Sequence, residues 1–476
     1  MAFSKETIPK KSAGLSEWYN KVVLEAELAD YGPAKGTMIF RPYGFAIWEQ
    51  IRALLDVEIK KRGVENAYWP LFIPESLLHK EKEHVEGFSP ELAVVTIGGG
   101  EELTEKLVIR PTSETIMYQS YAKWIQSWRD LPMQINQWNN VVRWEKRTYL
   151  FLRTSEFLWQ EGHTAHATHA EASATVSWAM DMYERFYREN LAIPGYVLVK
   201  SEQEKFAGAD MTLSYETLMP EGKALQSSTS HDLGQNFSRA FEIAFLDQQG
   251  SSQHVWQTSW GLSTRSIGAL LMTHGDDNGL RFPPRIAPIQ VVIVPIRDAA
   301  ETIAYAEEIK ELLRAAGLRV RLENRGNESL GYTINKWELK GVPLRLEVGP
   351  KEVVDGVVTA VRRDNFVKEK ITYAALAETV STLLEDIQAQ LYKEADDFLG
   401  ANTREANTYD DFKKIMATQR GFIRCNWCEE AACEKAIKDE TKASTRGRQL
   451  EQAPVEGQCF RCGKPAQRTW LFAQSY

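Results

Sequence analysis

Three arginines set among aromatic and acidic neighbours constrain this chain more than any other feature. Arg143-Trp144-Glu145 is followed by Arg153-Thr154-Ser155-Glu156-Phe157, and Gly261-Leu262-Ser263-Thr264-Arg265 lies far downstream. An Arg-x-Glu on a strand, a basic loop and a returning strand with an aromatic make a cradle for a bent nucleoside triphosphate. Guanidinium forks match phosphate oxygens in pairs and stay charged at any relevant pH. No GxGxxG or Walker pattern is present, and Gly98-Gly99-Gly100 reads as a turn, so a Rossmann-type nucleotide site is disfavoured.

The chain has 476 residues, too many for one core, and suggests about three domains. Hydrophobic content of 43% with 26% charged residues is ordinary for a globular protein. No run of 18 apolar residues exists, so no membrane span is expected. The start MAFSKETIPKKSAG lacks the apolar core of a secretory signal, and the expected location is the cytoplasm. The net charge of −8 counts mildly against a nucleic-acid partner, although a local basic face can sit on an acidic whole.

The pattern predicts a helix from Pro42 to Lys61, with Ile47, Ile51, Leu54, Leu55 and Ile59 at helical spacing. A strand follows over Ala67–Pro74, where Pro70 confines it to an edge or an irregular position. Strands over Leu107–Arg110, Gln134–Trp144 and Phe151–Trp159, with a helix over Glu171–Glu189, lack regular βαβ alternation. That suggests an antiparallel sheet with helices packed on it. Arg281–Arg285 reads as a linker. Beyond it come strand Ile289–Pro295, helix Ala299–Ala316, strand Leu318–Glu323, helix Tyr332–Lys340, strand Leu344–Val348, a hairpin around Asp355-Gly356 and helix Ala374–Ala395. These predict a small α/β domain with a largely parallel sheet.

Two further segments, Arg110-Pro111-Thr112-Ser113-Glu114-Thr115 and Phe157-Leu158-Trp159-Gln160-Glu161-Gly162-His163, narrow the reading. With the arginine motifs, the chain from about Ser16 to Tyr476 resembles the prolyl-tRNA synthetases, a class II aminoacyl-tRNA synthetase family. The resemblance implies an α/β (α+β) protein: an antiparallel-sheet catalytic domain over 1–284, an α/β anticodon-binding domain over 285–395 and a small zinc-binding domain over 396–476. It implies ATP-dependent attachment of L-proline to tRNA(Pro) through a prolyl adenylate, with Mg²⁺ accompanying ATP. It also implies a homodimer, with Pro70 at its interface. No inserted domain fits between His163 and Ser259, which resembles the archaeal/eukaryotic-type branch without an editing insertion. The rival is a catalytically silent synthetase-like module that binds RNA or protein. Such a module tends to lose a motif arginine or the amino-acid pocket, and both are present here.

By the same resemblance, Arg143 reaches the α-phosphate and the substrate carboxylate, and Glu145 orients the adenosine end. Arg153 and Thr154 hold the outer phosphates, Phe157 stacks on adenine, and Ser263 and Arg265 close the other side. Gln226 and Thr229 also touch ATP. Thr112 and Glu114 face the imino group of proline, while Trp159, Glu161, His163, Phe206 and His231 surround its ring. A secondary ammonium needs an anion and a further acceptor, and an aromatic slot suits the ring. His163, His166 and His169 recur every third residue, but on a strand such offsets alternate faces, which argues against a shared metal. Glu338, Lys340 and Arg345 are the candidates for reading anticodon bases. The tail residue Tyr476 is expected to approach the active site.

All five cysteines fall in the last 52 residues. Cys428-x4-Cys433 and Cys459-x2-Cys462 read as a tetrahedral structural zinc site, and Cys425-x2-Cys428 is the competing pairing. The resemblance favours Cys428, Cys433, Cys459 and Cys462.

Overall fold

The computed structural model describes residues 8–78, 91–297, 299–324 and 328–476. Seven strands form its principal sheet: β1 (Glu65–Asn66), β2 (Met133–Val142), β3 (Glu156–His166), β4 (Gly195–Val199), β5 (Met211–Leu218), β6 (Ala224–Gly234) and β7 (Trp256–Ser263). Their order is β1-β2-β3-β7-β6-β5-β4, antiparallel throughout except for the short edge strand β1. Period-two alternation sends successive side chains to opposite faces. One face of β3 therefore carries Trp159, Glu161 and His163, and the other carries Gln160 and Gly162.

The Gln160 face is covered by a helix over His169–Glu189. Thr168 caps it by accepting from the Glu171 amide, and Glu171 reaches back to the Thr168 amide. Ala172, Val176, Ala179, Tyr183 and Tyr187 recur along its buried stripe. The Tyr183 hydroxyl donates to Gln160 Oε1 at 2.6 Å, so a polar group facing the helix is satisfied. Gly162 lies opposite Trp260, and a Cβ there would meet the indole at 2.1 Å.

The predicted helix over Pro42–Lys61 forms with those bounds, burying Ile47, Ile51, Leu55 and Ile59. Three expectations in this part need correction. The strand expected over Ala67–Pro74 is reduced to Phe72–Pro74, because the carbonyls of Trp69 and Pro70 accept from the buried Arg110 guanidinium instead of a neighbouring strand. The strand expected from Phe151 starts only at Glu156. Leu150-Phe151-Leu152 is instead an apolar plug: Phe151 adopts φ 62°, packs edge-on to Phe40, and the Tyr19 hydroxyl holds the Leu150 carbonyl at 2.7 Å. The strand expected to reach Trp144 ends at Val142, and Trp144 is exposed.

The next unit holds β8 (Val291–Pro295), β9 (Val320–Leu322), β10 (Leu344–Val348), β11 (Val357–Arg362) and β12 (Lys368–Thr372), ordered β9-β8-β10-β11-β12. Only β9, β8 and β10 are parallel, so the sheet is mixed rather than largely parallel. Asp355-Gly356 is not the hairpin turn. Gly356, at φ 62°, caps the short helix Pro350–Asp355, and the hairpin joins β11 to β12 further on. The Arg281–Arg285 segment is pinned, not loose. Phe282 is buried with its amide on the Gly341 carbonyl at 3.1 Å, and Arg363 grips Asp276 through two bonds of 2.7 and 2.8 Å.

The last unit is a four-stranded sheet of β13 (Thr403–Glu405), β14 (Phe422–Trp427), β15 (Ala443–Gly447) and β16 (Arg468–Gln474), ordered β13-β14-β16-β15. It docks on the edge strand β4, where Val199 and Arg448 exchange backbone hydrogen bonds of 2.8 and 3.1 Å. Beneath this seam lies a buried charge triad. Glu216 receives Lys200 at 2.6 Å on one oxygen and Arg446 at 2.6 and 2.9 Å on the other. Burial alone would raise the Glu216 carboxyl, but the charges of Arg446 and Lys200 outweigh it and hold it below its ordinary value. Burial and the Arg446 charge push the Lys200 ammonium down to about 8.

Arg446→Ala should destabilise the protein by about 3 to 5 kcal/mol, since it strips one partner from a buried carboxylate; the urea-unfolding midpoint reads this, and an unchanged midpoint would refute the triad's role. Acid should also weaken the fold. Burial pushes the His274 imidazole from 6.5 down to about 3, with its Nε2 held 2.8 Å from the Leu191 carbonyl. Between those values the unfolded chain binds more protons than the folded one, so stability falls as pH drops through that window. His274→Gln should flatten the decline between pH 6 and pH 4 by up to about 1.4 kcal/mol per pH unit, measured by urea titration at each pH.

Candidate active site

Strand register assembles the cleft from distant segments. Opposite Glu161 stand Gln137 on one side and Gly261 on the other, and Gly261 faces Thr229. His163 faces Ser259, which faces His231, and Trp159 faces Ser263. Because directly paired residues share a sheet face, one surface gathers residues from four strands. The resulting cleft of about 280 Å³ is lined by Thr112, Glu114, Arg143, Phe157, Trp159, Glu161, His163, Phe206, Gln226, Thr229, His231, Ser263 and Arg265, among others.

Glu161 is the hub at the cleft floor. Its Oε1 accepts from Ser113 Oγ, from Asn139 Nδ2 at 2.6 Å and from Gln137 Nε2 at 3.1 Å, and its Oε2 lies 3.0 Å from His163 Nε2. Burial would raise this carboxyl, but the His163, Ser113 and Asn139 hydrogen bonds bring it below its ordinary value. His163 shifts the other way. Burial opposes its charge, yet the bond to Glu161 and the carboxylates of Glu114 and Glu161 raise its pKa. The Tyr118 hydroxyl lies 3.2 Å from His163 Nδ1 and completes the chain. Beside it, Thr112 Oγ1 donates to Glu114 Oε2. That commits the Thr112 proton and leaves its oxygen lone pairs as acceptors.

His231 is held neutral. Burial and the neighbouring charge on His163 push it down to about 3, and Thr212 Oγ1 lies 2.9 Å from its Nδ1. Phe206 packs on the His231 ring at 4.6 Å between centroids, forming an apolar wall. In the same cleft, the Arg143 guanidinium lies 5.5 Å from the Phe157 ring and 5.6 Å from the Trp159 ring, with its Nε donating to the Pro111 carbonyl at 3.1 Å. Arg265 is braced by the carbonyls of Leu152 and Gln226 at 3.3 and 3.2 Å. Among the described residues, Ser259 Oγ and Trp159 Nε1 are two of the buried side-chain atoms without a protein partner.

Other predicted residues lie elsewhere. Arg153 is half exposed and paired with Glu145 at 2.6 Å. Thr154 spends its hydroxyl on the Glu156 carbonyl at 2.6 Å and lines a separate cavity with the Gly32–Thr37 loop. Tyr476 does not line the cleft either. Its amide donates to the Ala224 carbonyl at 3.2 Å, and its hydroxyl to Glu221 at 3.3 Å, at the start of β6. In the second unit, Arg345 is buried between Glu338 at 2.9 Å and Glu347 at 3.0 Å, while Lys340 crosses to Glu27 and lies over the Tyr43 ring. His166 and His169 turn to Thr164 and Asp232, whereas His163 turns to Glu161 and Tyr118.

The cysteines form a second centre. Ligand atoms of Cys428, Cys433, Cys459 and Cys462 all lie within 4.8 Å of one another, with Cys433–Cys459 at 3.8 Å and Cys428–Cys462 at 3.6 Å. A tetrahedron of 2.3 Å zinc–sulfur bonds has edges of about 3.8 Å, so the donor set fits zinc. Cys425 stands apart, mid-strand opposite Trp470.

Sequence reading missed Ser113, Tyr118, Gln137, Asn139, Thr212 and Arg110. The alternation of Gln137 and Asn139 on β2 was an available signal. Their convergence on Glu161 depends on pairing register, which no local pattern specifies.

The chain matches the tRNA synthetase class II core domain (G, H, P, S and T) over residues 95–274, an anticodon binding domain over 290–383 and the prolyl-tRNA synthetase C-terminal domain over 409–476. It is 49% identical to a proline–tRNA ligase of Natranaerobius thermophilus, spanning 100% of this chain and 99% of that protein. Identity is 48% to a chloroplastic/mitochondrial proline–tRNA ligase of Arabidopsis thaliana, over 99% of this chain and 89% of that protein. Among solved structures, a prolyl-tRNA synthetase of Cryptosporidium parvum, complexed with halofuginone and AMPPNP, is similar at a TM-score of 0.94 with 42% identity, covering 98% and 99% of the two chains. With geometry and matches running the length of the chain, it belongs to the prolyl-tRNA synthetase family of class II aminoacyl-tRNA synthetases.

Proposed function

We propose that this chain attaches L-proline to tRNA(Pro) in two steps. The observation that carries the reading is one cleft lined both by carboxylates, Glu114 and Glu161, and by guanidinium groups, Arg143 and Arg265. In the first step a carboxylate oxygen of proline attacks the α-phosphorus of ATP, and pyrophosphate leaves. In the second, a ribose hydroxyl of the tRNA terminus attacks the adenylate carbonyl, and AMP leaves. Neither step needs a protein nucleophile, so positioning and charge stabilisation supply the rate.

Glu114 is assigned to accept from the imino nitrogen, together with the Thr112 oxygen. Trp159, Phe206 and neutral His231 enclose the ring, while the Glu161–His163 pair fixes the floor. Arg143 bridges the carboxylate and α-phosphate, Phe157 stacks on adenine, and Gln226, Thr229, Ser263 and Arg265 hold the nucleotide. ATP enters as its Mg²⁺ complex. Glu145, Arg153 and Thr154 take the adenosine end and outer phosphates once Arg153 exchanges Glu145, and the Thr154 hydroxyl exchanges the Glu156 carbonyl, for phosphate oxygens. Tyr476 steadies the start of β6, two residues before Gln226. Zinc on Cys428, Cys433, Cys459 and Cys462 supplies a structural crosslink.

Further assignments rest on the same reading. Domain limits are placed at 1–284, 285–395 and 396–476, the location is the cytoplasm, and the branch is the archaeal/eukaryotic type without an editing insertion. A homodimer is supported by the exposed apolar residues Tyr68 and Phe72 flanking Pro70, with exposed Trp124 against Trp69. Glu338, Lys340 and Arg345 are assigned to the anticodon, Arg345 by exchanging its carboxylate partners for guanine edges.

The test is ATP–pyrophosphate exchange across a panel of amino acids. Exchange that depends on proline alone supports the reading, and none with any amino acid favours the silent module. Arg143→Ala should cut the exchange rate about a hundred- to a thousandfold, the usual cost of one preorganised charge at a transition state. Glu114→Gln should raise the KM for proline far more than that for ATP, and equal losses in both would point to a folding defect.

A further inference from the structure

The proline wall is continuous with the cysteine-bearing unit through a short path of contacts. Cys433 sits in the first turn of the helix Ala431–Thr441, and the next residue is Glu434. Glu434 is buried against the principal sheet, where its Oε1 accepts from Ser201 Oγ at 2.9 Å and from Thr445 Oγ1 at 2.6 Å. The Ser201 carbonyl in turn accepts the amides of Glu204 and Lys205 at 3.1 and 2.9 Å, closing a tight turn. One turn along the same helix, Lys438 reaches Glu204 at 2.9 Å. Phe206 follows directly: its amide is fixed by Thr212 Oγ1 at 3.0 Å, and its ring packs on His231.

We propose that Glu434 is a positioning residue for the amino-acid pocket. It holds Ser201, and with it the turn that delivers Phe206 to the pocket wall. The inference rests on the proline reading of the cleft. The contacts named in the path lead to Phe206 and His231, so the effect falls on the proline side. A carboxylate anchored beside a metal-binding cysteine is a rigid support, whereas the exposed Lys438–Glu204 pair adds little by itself.

The test uses the full-length protein in pyrophosphate exchange, varying proline and ATP separately. Glu434→Ala and Ser201→Ala should each raise the KM for proline about three- to tenfold, the size of one lost buried hydrogen bond. The KM for ATP should stay within about twofold, and the zinc content should match that of the wild type. The double variant should be no worse than either single variant, because both remove the same link. Glu434→Gln keeps the acceptor oxygen and should behave as wild type. An unchanged proline KM in either alanine variant, an equal rise for ATP, or multiplied losses in the double variant would overturn the proposal. Wild-type protein that fails to exchange with proline would overturn the functional reading instead.

Discussion

A carboxylate with almost no solvent exposure sits at the junction of the principal sheet. Removing Glu161 from water costs several kcal/mol, and only converging donors recover it. Those donors come from β2, from the loop at Ser113 and from His163 on the same strand. Each is useful only if the strands keep their present register, because a one-residue slip would turn the whole set to the opposite face. The floor of the cleft and the pairing of the sheet are therefore one constraint. The Thr112–Glu114 loop inherits its position from it, and Arg110 holds that loop from behind through the Trp69 and Asn140 carbonyls.

Charge of both signs lines the cleft. Glu114 and Glu161 act on His163 and on Arg143 alike, Arg143 lies against the Phe157 and Trp159 rings, and the Arg143 charge reaches Arg265. A dipolar ligand with a cationic nitrogen and an anionic head would find a partner for each charge. Low local dielectric sharpens that match by strengthening each fixed charge.

Much of this was legible in the chain. The helix over Pro42–Lys61 announced itself by spacing and by proline at its start, and the arginine motifs and paired cysteines carried chemistry in short segments. What stayed hidden depends on encounters between distant segments. Glu216 and Arg446 meet across 230 positions, and nothing near either residue signals the other. Local signals also had two meanings. Asp355-Gly356 satisfies a helix cap as well as a hairpin, and the apolar run Leu150–Leu152 can plug a core as readily as it can line a strand. Burial decided the second, and burial is a property of the assembled molecule.

The contact between Gly162 and Trp260 has a consequence for how such a chain can change over generations. The indole fills the space that any larger residue at 162 would need, and the overlap is with a rigid ring, not a flexible side-chain tip. A single substitution at 162 meets a steep barrier, and shrinking Trp260 first would open a large void in the core. The two positions are thus locked together. Variation can pass through them only by a paired exchange, so this corner of the sheet is closed to the stepwise drift open to its surface.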